Sequence, residues 1–198
     1  MKLEAPAAER NRRPIMEALE SRLPASGRLL EVASGTGRHA VSFAERWRHL
    51  EIQPSEPTEE GRASIEAWRL ETQLANLAAP LELDVTRHPW PVSTAEAVFC
   101  ANLIHIAPWV ATEGLFDGAS QLLPPRRRLF TYGPFHLDGR PTSEGNAAFD
   151  ASLRGRNPAW GLRDIGDLET LGRSKGLELI ERVGMPANNY LLVFEKTS

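Results

Sequence analysis

The chain has 198 residues, 41% of them hydrophobic and 25% charged, with a formal net charge of -3. That length fits one domain, or one domain with an insertion, and can bury a core without covalent staples. The slightly acidic balance leaves no electrostatic footprint for nucleic acid or an anionic membrane, and a single cysteine, Cys100, excludes an intrachain disulfide. Cys100 closes the apolar run Ala97-Val98-Phe99-Cys100 and reads as a small buried hydrophobe rather than a reactive thiol. The five histidines lack the spacing of a zinc site. The opening MKLEAPAAERNRRP has no apolar signal-peptide stretch, and the most apolar window, Ala97 to Ala111, is broken by Asn102, His105 and Pro108. These features predict a soluble, cytoplasmic protein that binds neither membrane nor nucleic acid. No pattern in the chain sets its oligomeric state.

In chain order, Ile15, Leu19 and Leu23 recur at helical spacing behind Pro14, which suits a first helical position. Arg28 to Val32 is a short strand after Gly27, and the turn Ala33-Ser34-Gly35-Thr36-Gly37 leads into a helix running to about Arg48. Glu51 to Pro54 reads as a second strand, and Glu59 to Leu74, carrying Ile65 and Trp68, as a helix. Leu81 to Asp84 is predicted as a third strand and Ala97 to Ala101 as a fourth. Trp109, Phe116, Ala119 and Leu123 mark another helix, followed by a fifth strand, Arg128 to Tyr132. This alternation predicts a parallel sheet with right-handed crossovers.

The rhythm breaks at Gly133 to Leu162, a polar stretch too long for a simple connection. Within it, Ser143 to Arg154 is a candidate short helix with Phe149 and Leu153 on one face. Asp164 to Lys175 is a last crossover helix. Leu177 to Val183 and Tyr190 to Lys196 are strands whose short join requires antiparallel pairing. The predicted fold is therefore α/β and Rossmann-like, a seven-stranded, mostly parallel sheet ending in an antiparallel hairpin. Residues 1–198 are expected to form one domain with a lid-like insertion at 133–162. That is the plan of class I methyltransferases.

The strongest chemical signal is Leu29-Leu30-Glu31-Val32-Ala33-Ser34-Gly35-Thr36-Gly37, a strand that enters a small-residue turn and opens a helix. Such a turn lets backbone approach a ligand closely. Glu31 is placed to face a cationic amino-acid tail or to hold the turn. Glu56, with Pro57, follows the second strand at the distance where a carboxylate accepts from ribose hydroxyls. Asp84 and Val85 end the predicted third strand, where an adenine amino group would be read. Asn102, Leu103 and Ile104 leave the fourth strand beside the methyl donor, with His105 beyond. His105 and Tyr132 are the candidates for handling an acceptor's proton. Arg10 and Asn11 are placed to fold over the cofactor, Arg10 pairing with its carboxylate. Phe135, Asn146, Asp150, Trp160 and Asn188 are candidates for the acceptor pocket. The stretch Gly35 to Ala40 also satisfies the dinucleotide pattern G-x-G-x-x-A, but Glu31 just before it would repel a pyrophosphate.

At these motifs the chain resembles the domain-of-unknown-function 938 family, the group that includes methyltransferase-like protein 26. The matching segments are Pro6 to Asn11, Glu31 to Gly37, Asn102 to Ile106 and Tyr132 to Phe135. Thr142-Ser143-Glu144 with Asn146 and Phe149-Asp150, then Met185 to Asn189, complete the resemblance over nearly the whole chain. One departure is Gly145, where a second small polar residue is expected. The resemblance implies a class I methyltransferase fold and S-adenosyl-L-methionine binding, with S-adenosyl-L-homocysteine as product. It supplies no substrate. The expected activity is direct in-line methyl transfer to a small-molecule acceptor, without a metal. The alternatives are an NAD(P)-dependent oxidoreductase and a non-catalytic binding protein that keeps the fold.

Overall fold

The computed structural model describes residues 1–197. Its main sheet has six strands in the order β2-β1-β3-β4-β8-β7. β1 (Gly27–Val32), β2 (Leu50–Pro54), β3 (Ala97–Ala101) and β4 (Arg128–Gly133) run parallel. β8 (Asn189–Lys196) pairs antiparallel with β4 and with β7 (Leu177–Met185), forming the hairpin expected at the end of the chain.

Alternation along the strands feeds two cores. Leu30, Val32, Val98, Cys100 and Leu129 point to one face, covered by α4 (Trp109–Leu122) and α6 (Ile165–Ser174) through Leu115, Phe116 and Leu168. Leu29, Ile52, Phe99, Phe130 and Tyr132 point to the other, covered by Ile15 and Leu19 of α1 (Pro6–Leu19) and Phe43 of α2 (Arg38–Arg46). α3 (Glu59–Thr72) packs beside α2, with Ser64 and Ile65 buried. Apolar faces on both sides of a parallel sheet are what makes its strands read as nearly continuous hydrophobic runs.

Two expectations need correcting. The predicted third strand at Leu81 to Asp84 does not form, so the sheet has six strands rather than seven. The segment does lie beside β2, but only through the bridges Ile52–Leu77 and Ser55–Leu81. Pro80 has no amide to extend a ladder, and the side chain of Gln53 takes the carbonyl of Ala79 at 2.7 Å. Asp84 then bends the chain by accepting from the Thr86 amide at 2.9 Å. The first helix also begins at Pro6, not Pro14, and ends at Leu19. Pro6 takes the first-turn position, and Pro14 sits inside the helix, where it removes one hydrogen bond.

The insertion after β4 folds as a small hairpin, β5 (His136–Leu137) and β6 (Arg140–Pro141), followed by α5 (Glu144–Arg156). Its far end docks on the 3-10 turn Leu103–His105. Gly161 donates to the His105 carbonyl at 2.9 Å, and Arg163 donates to the carbonyls of Ile104 and Ala107 at 2.9 and 2.7 Å. No helix among the described residues is long and apolar enough to cross a membrane.

Candidate functional site

The carboxyl ends of β1, β2 and β3 meet at one edge of the sheet. The residue after β1, Ala33, is held left-handed at φ 56°, and the residue after β3, Asn102, is left-handed at φ 62°. Left-handed backbone is uncommon for non-glycine residues, and these two bend the chain away from adjacent strand ends. The turn after β1 is pinned to the end of β2: the Ser34 amide donates to the Ser55 carbonyl at 2.8 Å, and the Ser55 hydroxyl donates to the Glu31 carbonyl at 2.8 Å. Gly35 (φ 55°) faces open space, so its side is free for a ligand. Gly37 (φ 88°) opens α2, and a Cβ there would lie 2.9 Å from Ile65. The Thr36 carbonyl accepts from Ser64 at 2.9 Å.

Two carboxyl groups flank this turn. Glu56 accepts from the Gly35 amide at 3.0 Å and from the Thr58 hydroxyl and amide at 2.8 and 3.3 Å, while Pro57 beside it is exposed. A carboxylate has about four acceptor positions, so with three in use Glu56 retains room for one ligand hydroxyl. Glu31 is 1% exposed, with Oε2 lacking any hydrogen-bond partner. Burial drives its pKa up to about 8, so it holds its proton at neutral pH. Its Oε1 lies 3.6 Å from Nδ1 of His39. His39, itself pushed down to about 4 by burial, is neutral, and its Nε2 contacts Asn11 Oδ1 at 2.8 Å.

Further along the edge, Asp84 is half-exposed and locally bonded to Thr86, whose amide and hydroxyl keep it below the usual carboxylate range. Leu103 is half-buried, whereas Val85 and Ile104 belong to the core at 6% and 2% exposure. These two side chains serve as floor rather than as open ligand contacts.

A cleft of about 700 Å³ opens beside Asn102 and Tyr132. Its walls come from α1 (Arg10, Asn11), from α5 (Asn146, Phe149) and from the turn between β7 and β8. Asn146 ties two of those walls together, donating to the Asn188 carbonyl at 3.0 Å. Tyr132 is 4% exposed, and burial raises its phenol above 10, offset in part by Asn11.

Several expected acceptor residues stand elsewhere. His105 is 0% exposed and packs edge-to-face on Phe135, also 0% exposed, at 4.9 Å between ring centroids. Burial drives His105 down to about 3, and neither ring nitrogen has a partner. It is therefore a core histidine here and does not reach the cleft. Gly133 leaves room for its ring, since a Cβ there would collide with it. Asp150 is turned away to Arg154 at 3.0 Å and the Leu162 amide at 2.7 Å. Trp160 lies under Arg156, 5.8 Å from its ring centroid. Asn188 contributes its carbonyl, while Pro186, Ala187 and Asn189 supply the wall. The pair Asn188-Asn189, read from sequence as acceptor-pocket candidates, thus places Asn189 on the wall, whereas the buried His39 was not singled out from sequence. The signal for His39 was available: it stands in the first turn of the helix that follows the glycine turn after Glu31.

A protein-family profile described as "Protein of unknown function (DUF938)" matches residues 2–196. The chain belongs to that family. Among solved structures, it is similar to the S-adenosylmethionine-dependent methyltransferase SibL (TM-score 0.80, 17% identity, 97% of this chain and 56% of that one). An O-methyltransferase family protein from Burkholderia thailandensis matches with TM-score 0.81 and 18% identity, over 97% of this chain and 58% of that one. CalO1, a methyltransferase in calicheamicin biosynthesis solved with S-adenosylhomocysteine bound, matches with TM-score 0.77 and 16% identity, over 96% and 54%. This DUF938 chain thus has the Rossmann-like fold of those methyltransferases and spans a little over half the length of each.

Proposed function

We propose that the protein binds S-adenosylmethionine across the ends of β1, β2 and β3 and methylates a small-molecule acceptor in the adjoining cleft. The observation that carries this reading is Glu31, a buried carboxyl with one oxygen unpartnered at the end of β1. Such an orphan is costly unless a donor completes it. The ammonium of an amino-acid tail is a donor of the right charge, whereas a pyrophosphate has none to give. The rest of the edge fits the same group: Glu56 with an acceptor position for a ribose hydroxyl, the open side of Gly35, and Asp84 with Leu103 toward the adenine. The S-adenosylhomocysteine bound to CalO1 and the S-adenosylmethionine dependence of SibL lend support from the same fold.

When bound, the cofactor supplies a methyl already activated on a cationic sulfur, so the acceptor's lone pair displaces it directly. The protein's work is then to align the acceptor and exclude water. Tyr132 holds its proton at neutral pH, so its part is to donate a hydrogen bond to the acceptor rather than to act as a base. The 133–162 insertion serves as the acceptor wall, presenting Asn146 and Phe149, and the whole chain works as one domain.

Calorimetry tests the reading. S-adenosylmethionine and S-adenosylhomocysteine should bind saturably, and NADH should not. Glu56→Ala removes a charge-assisted acceptor and should weaken cofactor binding by about tenfold to a hundredfold. Unchanged affinity in that variant, or competitive NADH binding in the wild type, would overturn the assignment. Transfer of a labelled methyl group to a pool of small metabolites should then separate an enzyme from a binding protein.

A further inference from the structure

We propose that the cleft accepts a flat aromatic carboxylate, with Arg10 as the anchor for its carboxylate group. The inference rests on the methyl-transfer reading for the role of that ligand as acceptor, but its binding stands on the cleft alone.

The first observation is charge. Arg10 is the single charged side chain lining the cleft, and no carboxylate shares the wall with it. An ammonium-bearing ligand finds no counter-ion there. The neighbouring charges of α1 are already engaged: Glu9 pairs with Arg12 at 2.6 Å and Arg38 at 2.8 Å, and Arg13 pairs with Glu17 at 2.9 Å. Arg10 makes no such pair among the described residues. A free guanidinium presents a planar fork that matches a carboxylate with two parallel hydrogen bonds.

The second observation is shape and surface. Phe149, 40% exposed, is a large apolar side chain left open on the cleft wall. Tyr132 and three prolines, Pro14, Pro134 and Pro186, supply further flat faces. Rings against rings and prolines favour a planar ligand, and covering Phe149 removes apolar surface from water.

The third observation is hydrogen bonding. The amide nitrogen of Asn146 is spent on Thr142 at 2.7 Å and on the Asn188 carbonyl at 3.0 Å. That leaves its Oδ1 as an acceptor, suited to a ligand hydroxyl. The cleft thus offers one group for an anion and one for a hydroxyl. Arg10 shares this cleft with α5 and the β7–β8 turn, while Gly35 and Glu56 do not line it. That division assigns Arg10 to the acceptor rather than to the cofactor tail expected from sequence.

Fluorescence titration with a hydroxynaphthoate, its methyl ester and the matching aminomethyl naphthol tests the proposal. The wild-type protein should bind the anion at least about tenfold more tightly than the ester or the amine, the effect of one charge-assisted contact. Arg10→Gln should abolish that preference while the ester binds as before, and Arg10→Lys should restore part of it. Equal binding of the three probes, no saturable binding of the anion, or a preference that survives Arg10→Gln would overturn the proposal. So would an Arg10→Gln variant that loses S-adenosylmethionine affinity yet keeps the anion preference. A wild-type protein that prefers the anion but fails to bind S-adenosylmethionine would support the cleft assignment and sink the methyl-transfer reading alone.

Discussion

Glu31 holds the sharpest local conflict in the molecule, a carboxyl withdrawn from water with one oxygen unpartnered. Ionising it there is unfavourable, so it stays protonated up to about pH 8. His39 does not relieve it, because burial holds that imidazole neutral and its Nε2 is committed to Asn11. A cofactor ammonium beside Glu31 favours the carboxylate and expels the proton. Binding at neutral pH should therefore release about one proton. Calorimetry in phosphate and in Tris, whose ionisation heats differ, reads that number. Glu31→Gln should abolish the release and weaken binding by roughly tenfold or more. Binding heats that do not depend on the buffer would remove Glu31 from the ammonium.

At the scale of elements, α5 carries Asn146 and Phe149 into the cleft, and its start depends on Ser143. The Ser143 hydroxyl accepts from the Asn146 amide at 3.1 Å, capping the first turn. Ser143→Ala should cost the helix about 1 kcal/mol, speeding amide hydrogen exchange over 144–156 without changing cofactor affinity. Protection unchanged over that stretch would show that packing of Leu153, not the cap, sets the stability of α5. The cap is written plainly in Thr142-Ser143-Glu144, and so are the parallel strands, whose apolar runs sit between glycines, prolines and charges. The edge positions of Glu31 and Glu56 are legible for a similar reason, since they stand at the carboxyl ends of β1 and β2, whereas Asp84 follows a segment that only bridges. The strand expected at 81–84 fails because one residue, Pro80, decides whether a segment beside β2 pairs or merely bridges. The acceptor cleft is the least legible part. Its walls come from α1, α5 and the β7–β8 turn, distant in sequence, and no periodicity tells a three-residue turn which way His105 points.

Over the whole molecule, three buried groups shape how stability depends on pH. Glu31 ionises near 4.5 when unfolded and about 8 in the fold. The unfolded chain binds fewer protons across that window, so stability falls as pH rises through it. His39 behaves oppositely, moving from 6.5 unfolded to about 4 folded, as does His105, from 6.5 to about 3. There the unfolded chain binds more protons, so stability climbs with pH and levels off above 6.5. Two histidines outweigh one glutamate below pH 6.5, and the glutamate acts alone above it, which places the maximum near 6.5. The net slope on either side is about one proton, or about 1.4 kcal/mol per pH unit. Thermal melts should show the midpoint dropping by several degrees toward both mildly acidic and mildly alkaline pH. Glu31→Gln should flatten the alkaline limb and steepen the acidic one, because the opposing group is gone. His39→Gln should nearly level the acidic limb, leaving His105 and Glu31 to cancel. A wild-type midpoint that keeps rising into alkaline pH would mean that Glu31 is already ionised in the fold. That result would also remove the reason for it to capture an ammonium.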